Sequence, residues 1–129
     1  MQYLLDTVTV VRHFSNSGRI GREAASILNA IEERDDLFMI SVVSLMEIMY
    51  LAERNRIAIN LQDTLNRIEG SSKYLIINLS AEILCVAETI EFYELHDRLI
   101  LATTRWLDIP ILSGDSKFEN IPGIHVIWD

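Results

Sequence analysis

The chain has 129 residues, of which half are apolar, 23% are charged and only seven are Gly or Pro. That content matches one folded domain and excludes disordered, collagen-like and mucin-like chains. Eleven basic against 19 acidic residues leave a net charge of −8, the wrong sign for binding nucleic acid through bulk electrostatics alone.

Gln2–Leu5 is a short apolar run that reads as a buried strand ending at Asp6. Thr7–Phe14 follows as a short helix and Ser15–Gly18 as a polar turn. Ile20, Ala24, Ile27, Leu28 and Ile31 fall at helical spacing and predict a helix over Arg19–Arg34. Phe38–Ile40 reads as a second strand, and Ser44–Arg56 as a helix nearly apolar through its first two turns. Asn60 caps a further helix running to Ser72, with Leu61, Leu65 and Ile68 on one face. Tyr74–Leu79 is a third strand. Ser80 opens a helix through Glu94, and Asp97–Leu107 forms another. Pro110–Ser113 and Ile124–Trp128 are the last strands. No repeat, linker or low-complexity tract divides the sequence, so residues 1–129 are read as a single domain. Short apolar strands alternating with helices predict an α/β domain with a mainly parallel sheet. In such sheets ligands bind beyond the carboxyl ends of the strands.

The longest charge-free stretch, Leu37–Met46, falls far short of the roughly 20 residues of a membrane span. The first 11 residues contain no Lys or Arg and include Asp6, so no signal peptide is expected. The single cysteine, Cys85, cannot form an intrachain disulfide, which fits a reducing cytoplasm.

Four acidic residues stand where that sheet edge should be. Asp6 follows the first strand, and Asp115 follows Ile111–Leu112 across Ser113-Gly114. Asp97 opens a helix, and Glu47 lies in the first turns of the helix after the second strand. Each also has an ordinary structural role. Asp6 and Asp97 suit helix N-caps, Ser44-Leu45-Met46-Glu47 matches a capping box, and Asp115 suits a turn. Glu47, however, is the only charge between Asp36 and Glu53, amid Leu45, Met46, Ile48, Met49 and Tyr50. A carboxylate there is costly to bury without a partner, and a divalent cation shared with other carboxylates would satisfy it. Oxygen-only ligands suit Mg²⁺ or Mn²⁺. Zinc is disfavoured, because one Cys and His13, His96 and His125 show no ligand spacing.

Four segments together carry a family resemblance: Tyr3-Leu4-Leu5-Asp6-Thr7, Ile40 through Ile48 around Glu47, Asp97-Arg98-Leu99-Ile100-Leu101-Ala102-Thr103-Thr104, and Pro110 through Phe118 around Asp115. In order, spacing and length the chain resembles PIN-domain ribonucleases, and within them the VapC-type toxins of toxin–antitoxin pairs. The resemblance implies a three-layer α/β/α domain with a mainly parallel central sheet of about five strands. It implies that Asp6, Glu47, Asp97 and Asp115 form an acidic metal-binding quartet, with Ser113 at the small hydroxyl position before the last acid and Thr7 in support. Asp6, Asp97 and Asp115 would be direct or water-bridged ligands of Mg²⁺ or Mn²⁺, and Glu47 a ligand or water-orienting base. The implied activity is endoribonuclease hydrolysis of RNA, leaving a 5′-phosphate and a 3′-hydroxyl. The implied partners are a second copy of the chain and a small antitoxin that blocks the cleft.

Arg98, Lys117 and Arg12 are candidate contacts to RNA phosphates, and each is equally a solvated surface charge. Two features depart from the family pattern: Val8 replaces the Ser or Asn found in many relatives, and the net charge is unusually acidic. They favour an alternative, a catalytically weak PIN-like interaction module. A haloacid-dehalogenase-type phosphatase would need an Asp where Val8 stands. A receiver domain would need paired acids after strand one and an Asp after the middle strand, where Tyr74–Leu79 offers only Asn78. His96 beside Asp97 reads as incidental, and Thr103, Thr104 and Trp106 as helix packing. Met46, Met49, Tyr50 and Leu51, with Ile57 and Ile59, exceed one helix face and suggest a protein interface.

Overall fold

The computed structural model describes residues 1–129. Five strands, β1 (Gln2–Leu5), β2 (Leu37–Ser41), β3 (Tyr74–Ile77), β4 (Ile111–Leu112) and β5 (Val126–Ile127), form one sheet in the order β3-β2-β1-β4-β5. Every neighbouring pair is parallel. Six helices accompany them: α1 (Thr7–Ser15), α2 (Arg22–Asn29), α3 (Val42–Glu53), α4 (Leu61–Glu69), α5 (Ala81–Glu88) and α6 (Leu95–Leu107).

The strands are apolar at nearly every position because both faces of the sheet are covered. Side chains alternate between the faces. Tyr3, Leu5, Phe38, Ile40 and Leu112 join Val10, Phe14, Ala24, Leu28 and Ile68 from α1, α2 and α4. Leu4, Met39 and Ile111 join Ile83 and Ala87 of α5 and Leu99–Ala102 of α6. Helix α3 contributes to both clusters, Leu45 and Ile48 to the first and Val43 to the second. The result is the expected three-layer α/β/α arrangement.

The strand order reverses direction at β1: the chain moves outward from β1 to β2 and β3, then returns to lay β4 on the other edge of β1. Loops leaving β1 and β4 therefore diverge to opposite faces and open a crevice at their carboxyl ends, the usual place for a ligand in such a sheet.

Several boundaries differ from the sequence reading. Helix α2 begins at Arg22, because Gly21 is its N-cap and packs directly on the chain end. A Cβ at position 21 would lie 2.4 Å from the Trp128 carbonyl oxygen, so the backbone must be bare there. Helix α5 stops at Glu88 instead of Glu94, where the Thr89 hydroxyl donates to the Val86 carbonyl at 2.6 Å. Helix α3 begins at Val42, capped by Ser41, whose Oγ accepts from the Val43 N–H at 3.0 Å. Ser44 is thus inside the helix and wholly buried, and the Ser44–Glu47 capping box does not form. Helix α6 is capped by Glu94, which accepts from the Asp97 N–H at 2.6 Å. Asp97 consequently sits in the first turn instead of opening the helix.

Candidate functional site

Asp6 does two things at once. Its Oδ1 accepts from the Thr9 N–H at 2.9 Å and caps α1, so its ordinary structural role is real. Its Oδ2 accepts from the Ser113 hydroxyl at 2.5 Å, across the β1–β4 boundary. The Thr9 hydroxyl donates to the Leu112 carbonyl at 2.9 Å and ties the first turn of α1 to the end of β4. Ser113 Oγ also accepts from the Asp115 N–H at 3.1 Å, and Asp115 Oδ1 accepts from the Lys117 N–H at 2.9 Å, capping a short 3₁₀ turn, Ser116–Phe118. Asp6 is almost fully buried. Burial pushes its carboxyl upward, the Ser113 and Thr9 hydrogen bonds pull it back, and the neighbouring charge of Asp115 adds a smaller upward push.

Glu47 projects from α3, half-buried, and takes a hydrogen bond from the Thr7 hydroxyl at 2.6 Å. Thr7 Oγ1 also lies 2.9 Å from Ser44 Oγ, so the hydroxyl that meets the carboxylate is itself held by a second one. The other Glu47 oxygen lies 3.5 Å from His96 Nδ1, which also faces Glu94 at 3.7 Å. His96 therefore has a defined place beside the acids, contrary to its reading as incidental.

Asp97 reports most directly on its neighbours. Its carboxyl is pushed up to about 6, first by burial, then by the charges of Glu94, Glu47, Asp115 and Asp6. Residues from β1, α3, α6 and the β4 loop, far apart in sequence, thus share one electrostatic environment. All four acids, Asp6, Glu47, Asp97 and Asp115, line a single cleft of about 470 Å³. Val8 lines it too, half-exposed.

None of the four acids is paired with a Lys or Arg. Arg12 and Arg19 reach the same cleft. Arg19 is engaged with Asp129 at 2.6 Å, and Arg12 donates to the Arg19 carbonyl at 2.6 Å. No three acidic, histidine or cysteine side chains are arranged to grip one bare ion. A hydrated dication nevertheless suits this donor set. Mg²⁺ retains several waters and takes only one or two carboxylates directly, and its charge would offset the mutual repulsion of the carboxylates.

Two of the three predicted phosphate contacts lie elsewhere. Arg98 Nε donates to the Ala87 carbonyl at 2.7 Å, tying α6 to α5 outside the cleft wall. Lys117 is exposed but does not line the cleft. Arg12 does. Arg19 and Trp128, which the sequence reading left without a role, line it as well. Thr103 and Thr104 are buried helix residues, as read, but Trp106 is nearly half exposed. A second, apolar groove of about 400 Å³ runs between α3 and α4, lined by Val42, Leu45, Met46, Met49, Leu61 and Leu65. No helix is long and apolar enough to cross a membrane.

Comparison with solved structures finds the same fold. The chain is similar over its full length to VapBC2 from Rickettsia felis bound to a DNA fragment from its promoter, covering all of that chain as well, with a TM-score of 0.74 and 18% identity. It is similar to a toxin–antitoxin complex from Klebsiella pneumoniae, with a TM-score of 0.65 and 28% identity over 97% of this chain and 95% of that one. It is also similar to Mycobacterium tuberculosis VapC20, described as a Sarcin-Ricin loop cleaving toxin, with a TM-score of 0.60 and 16% identity over 95% and 98% of the two chains. The likenesses at 16% and 18% establish the fold alone. No curated protein matches the sequence. The family model of the PIN domain matches residues 3–124, nearly the whole chain and all four acids, and the chain belongs to the PIN-domain family.

Proposed function

We propose that the chain is an endoribonuclease that hydrolyses RNA phosphodiester bonds with Mg²⁺ or Mn²⁺, and that it is the toxin of a toxin–antitoxin pair. The observation that carries this reading is the meeting of Asp6, Glu47, Asp97 and Asp115, none paired with a Lys or Arg, around one cleft at the sheet's switch point. Asp6, Asp97 and Asp115 would hold the dication, directly or through water. When bound, the ion supplies Lewis-acid charge and lowers the pKa of water at the site.

The chain's own residues do the rest. The Ser113 and Thr9 hydrogen bonds favour the Asp6 carboxylate and offset part of the upward push of its burial. Thr7 fixes the Glu47 carboxylate, which orients a water or accepts its proton. Arg12 offers a cation to a substrate phosphate at the cleft wall.

The antitoxin partner is supported by the complexes from Rickettsia felis and Klebsiella pneumoniae, and by an acidic cleft that an arginine would complement. The groove between α3 and α4, with Met46 and Met49 each about 40% exposed, offers apolar surface for a partner protein or for a homodimer. A cytoplasmic location is supported by the free, exposed Cys85, which suits a reducing compartment.

The test is cleavage of RNA by the purified chain. EDTA abolishes it and added Mg²⁺ or Mn²⁺ restores it; cleavage indifferent to EDTA would overturn the metal-dependent reading. Mn²⁺ binding with no cleavage of any RNA would favour the second reading, a catalytically weak interaction module, which Val8 in the cleft and the net charge of −8 support.

A further inference from the structure

Trp128 is the penultimate residue, and its indole is half-buried in the wall of the acidic cleft. Two glycines from separate loops make room for it. A Cβ at Gly114 would lie 2.7 Å from Trp128 Cε2 and 2.9 Å from Nε1. A Cβ at Gly21 would lie 2.7 Å from Cδ1. Any side chain at either position would displace the ring. Gly114 stands between Ser113 and Asp115, so the indole is packed directly against the loop that presents one of the acids. The indole packs against the core cluster on the α1 and α2 side of the sheet, yet it is only partly buried and lines the polar cleft, so part of it stays open to a ligand, as an aromatic platform needs.

The two arginines in the cleft stand beside it. Arg19 is fixed by Asp129, the residue after Trp128, at 2.6 Å. Arg12 is fixed by the Arg19 carbonyl, and its aliphatic stem lies over Gly18, where a Cβ would come within 3.0 Å of Cγ and Cδ. Each guanidinium is oriented by a single contact that leaves several N–H groups available. In a chain of net charge −8, attraction for nucleic acid must come from such local elements.

We propose that Trp128, Arg12 and Arg19 form a nucleotide subsite for one unpaired nucleotide of an RNA strand, with its base stacked on the indole and its phosphate held by the guanidinium groups. A base in a duplex has both faces covered and cannot enter, so the subsite selects single-stranded segments and loops. The inference rests on the endoribonuclease reading and names a recognition element within that site.

The experiment uses W106F, which leaves Trp128 as the only indole, in Ca²⁺ with a short unstructured RNA whose integrity is checked afterwards. The RNA quenches Trp128 fluorescence saturably, and the same RNA annealed to its complement does not. An abasic scan along the RNA finds one position that lifts the quench and weakens binding about tenfold, the share of one stacked base. In W128L the intact RNA binds about tenfold more weakly, and the abasic and intact strands bind alike. In R12Q affinity falls for all sequences, and the salt slope drops by about one. No quench, or W128L binding intact RNA as tightly as the parent, overturns the subsite and leaves Trp128 as an anchor for the chain end. If W128L does not fold, the abasic scan decides alone. Quenching without metal-dependent cleavage keeps the subsite and overturns the hydrolytic reading. Metal-dependent cleavage with W128L as fast as the parent does the reverse.

Discussion

Replacing Asp97 by Asn tests the electrostatics of the cleft without requiring activity. Asp97 titrates near 6 instead of 3.8, chiefly through burial and then through the charges of Glu94, Glu47, Asp115 and Asp6. An acid whose folded pKa is raised destabilises the fold once ionised. The cost is absent below about pH 3.8, grows as pH rises, and is complete above pH 6. A rise from 3.8 to about 6, at roughly 1.4 kcal/mol per pH unit, sets an upper limit of about 3 kcal/mol. Because Asp97 is only half-buried, solvent screening reduces this to about 1–1.5 kcal/mol. Its place in the first turn of α6 returns about 0.5 kcal/mol through the helix dipole. D97N should therefore be more stable than the parent by about 0.5–1 kcal/mol in EDTA at pH 7.5, a Tm gain of about 2–4 °C for a domain this size. At pH 4 the advantage should shrink towards zero. Added Mn²⁺ should raise the parent's Tm and leave the variant's nearly unchanged. Thermal melts across pH, with EDTA or Mn²⁺, measure all three. A variant less stable than the parent in EDTA at pH 7.5 would show that Asp97 is a structural residue and would refute the repulsion argument.

His13 should act in the opposite sense over the same range. Burial, then the charge of Arg67, lowers it from 6.5 to about 4, so the unfolded chain takes up a proton first and stability falls as pH drops from about 6.5 towards 4. The loss is at most about 3.5 kcal/mol, and H13Q, which keeps a polar partner for Tyr74 (2.7 Å from His13 Nε2), should flatten the acid limb of a denaturant titration. A parallel limb in H13Q would refute this. S113A removes the hydrogen bond that holds Asp6 down, so the acid limb of metal-dependent cleavage should move to higher pH and activity near neutrality should fall about tenfold, in line with the loss of a hydrogen bond to a charged group. An unmoved pH profile would place Ser113 outside the chemistry. T7V, which deletes the donor to Glu47, should lower kcat while T7S retains it; equal losses in both would point to packing. G21A should destabilise by about 1–3 kcal/mol, since its Cβ meets backbone 2.4 Å away at Trp128; a neutral melt would contradict the tight approach.

Much of the site was readable because the informative residues lie next to regular elements. Asp6 follows β1 and Asp115 follows β4 within three residues, so a parallel sheet alone delivers both to one edge. The acids on helices were harder to place. Ser41 and Ser44 are equally good caps in sequence. Ser41 takes the role because it is still extended, paired with Ile77 as the last residue of β2. Glu94 caps α6 through its side chain, an uncommon use of Glu, which moved the helix start two residues ahead of Asp97. The over-long prediction for α5 followed continuing helical periodicity past Thr89, where the chain instead turns. Arg19 and Trp128 were invisible because the contact between Arg19 and the chain end spans 110 residues, and no spacing rule encodes it. That Arg98 stands outside the cleft lining, tied by Nε to the Ala87 carbonyl, is likewise not legible in sequence, because it depends on how α5 packs on α6.

The most direct test of the central claim is a crystal of the chain soaked in Mn²⁺ and measured for anomalous scattering. The expected result is a peak inside the cleft, within direct or water-bridged reach of carboxylates from Asp6, Asp97 and Asp115, with Glu47 beside it. A saturating soak with no peak there, or with Mn²⁺ held only at other surface acids, would contradict it.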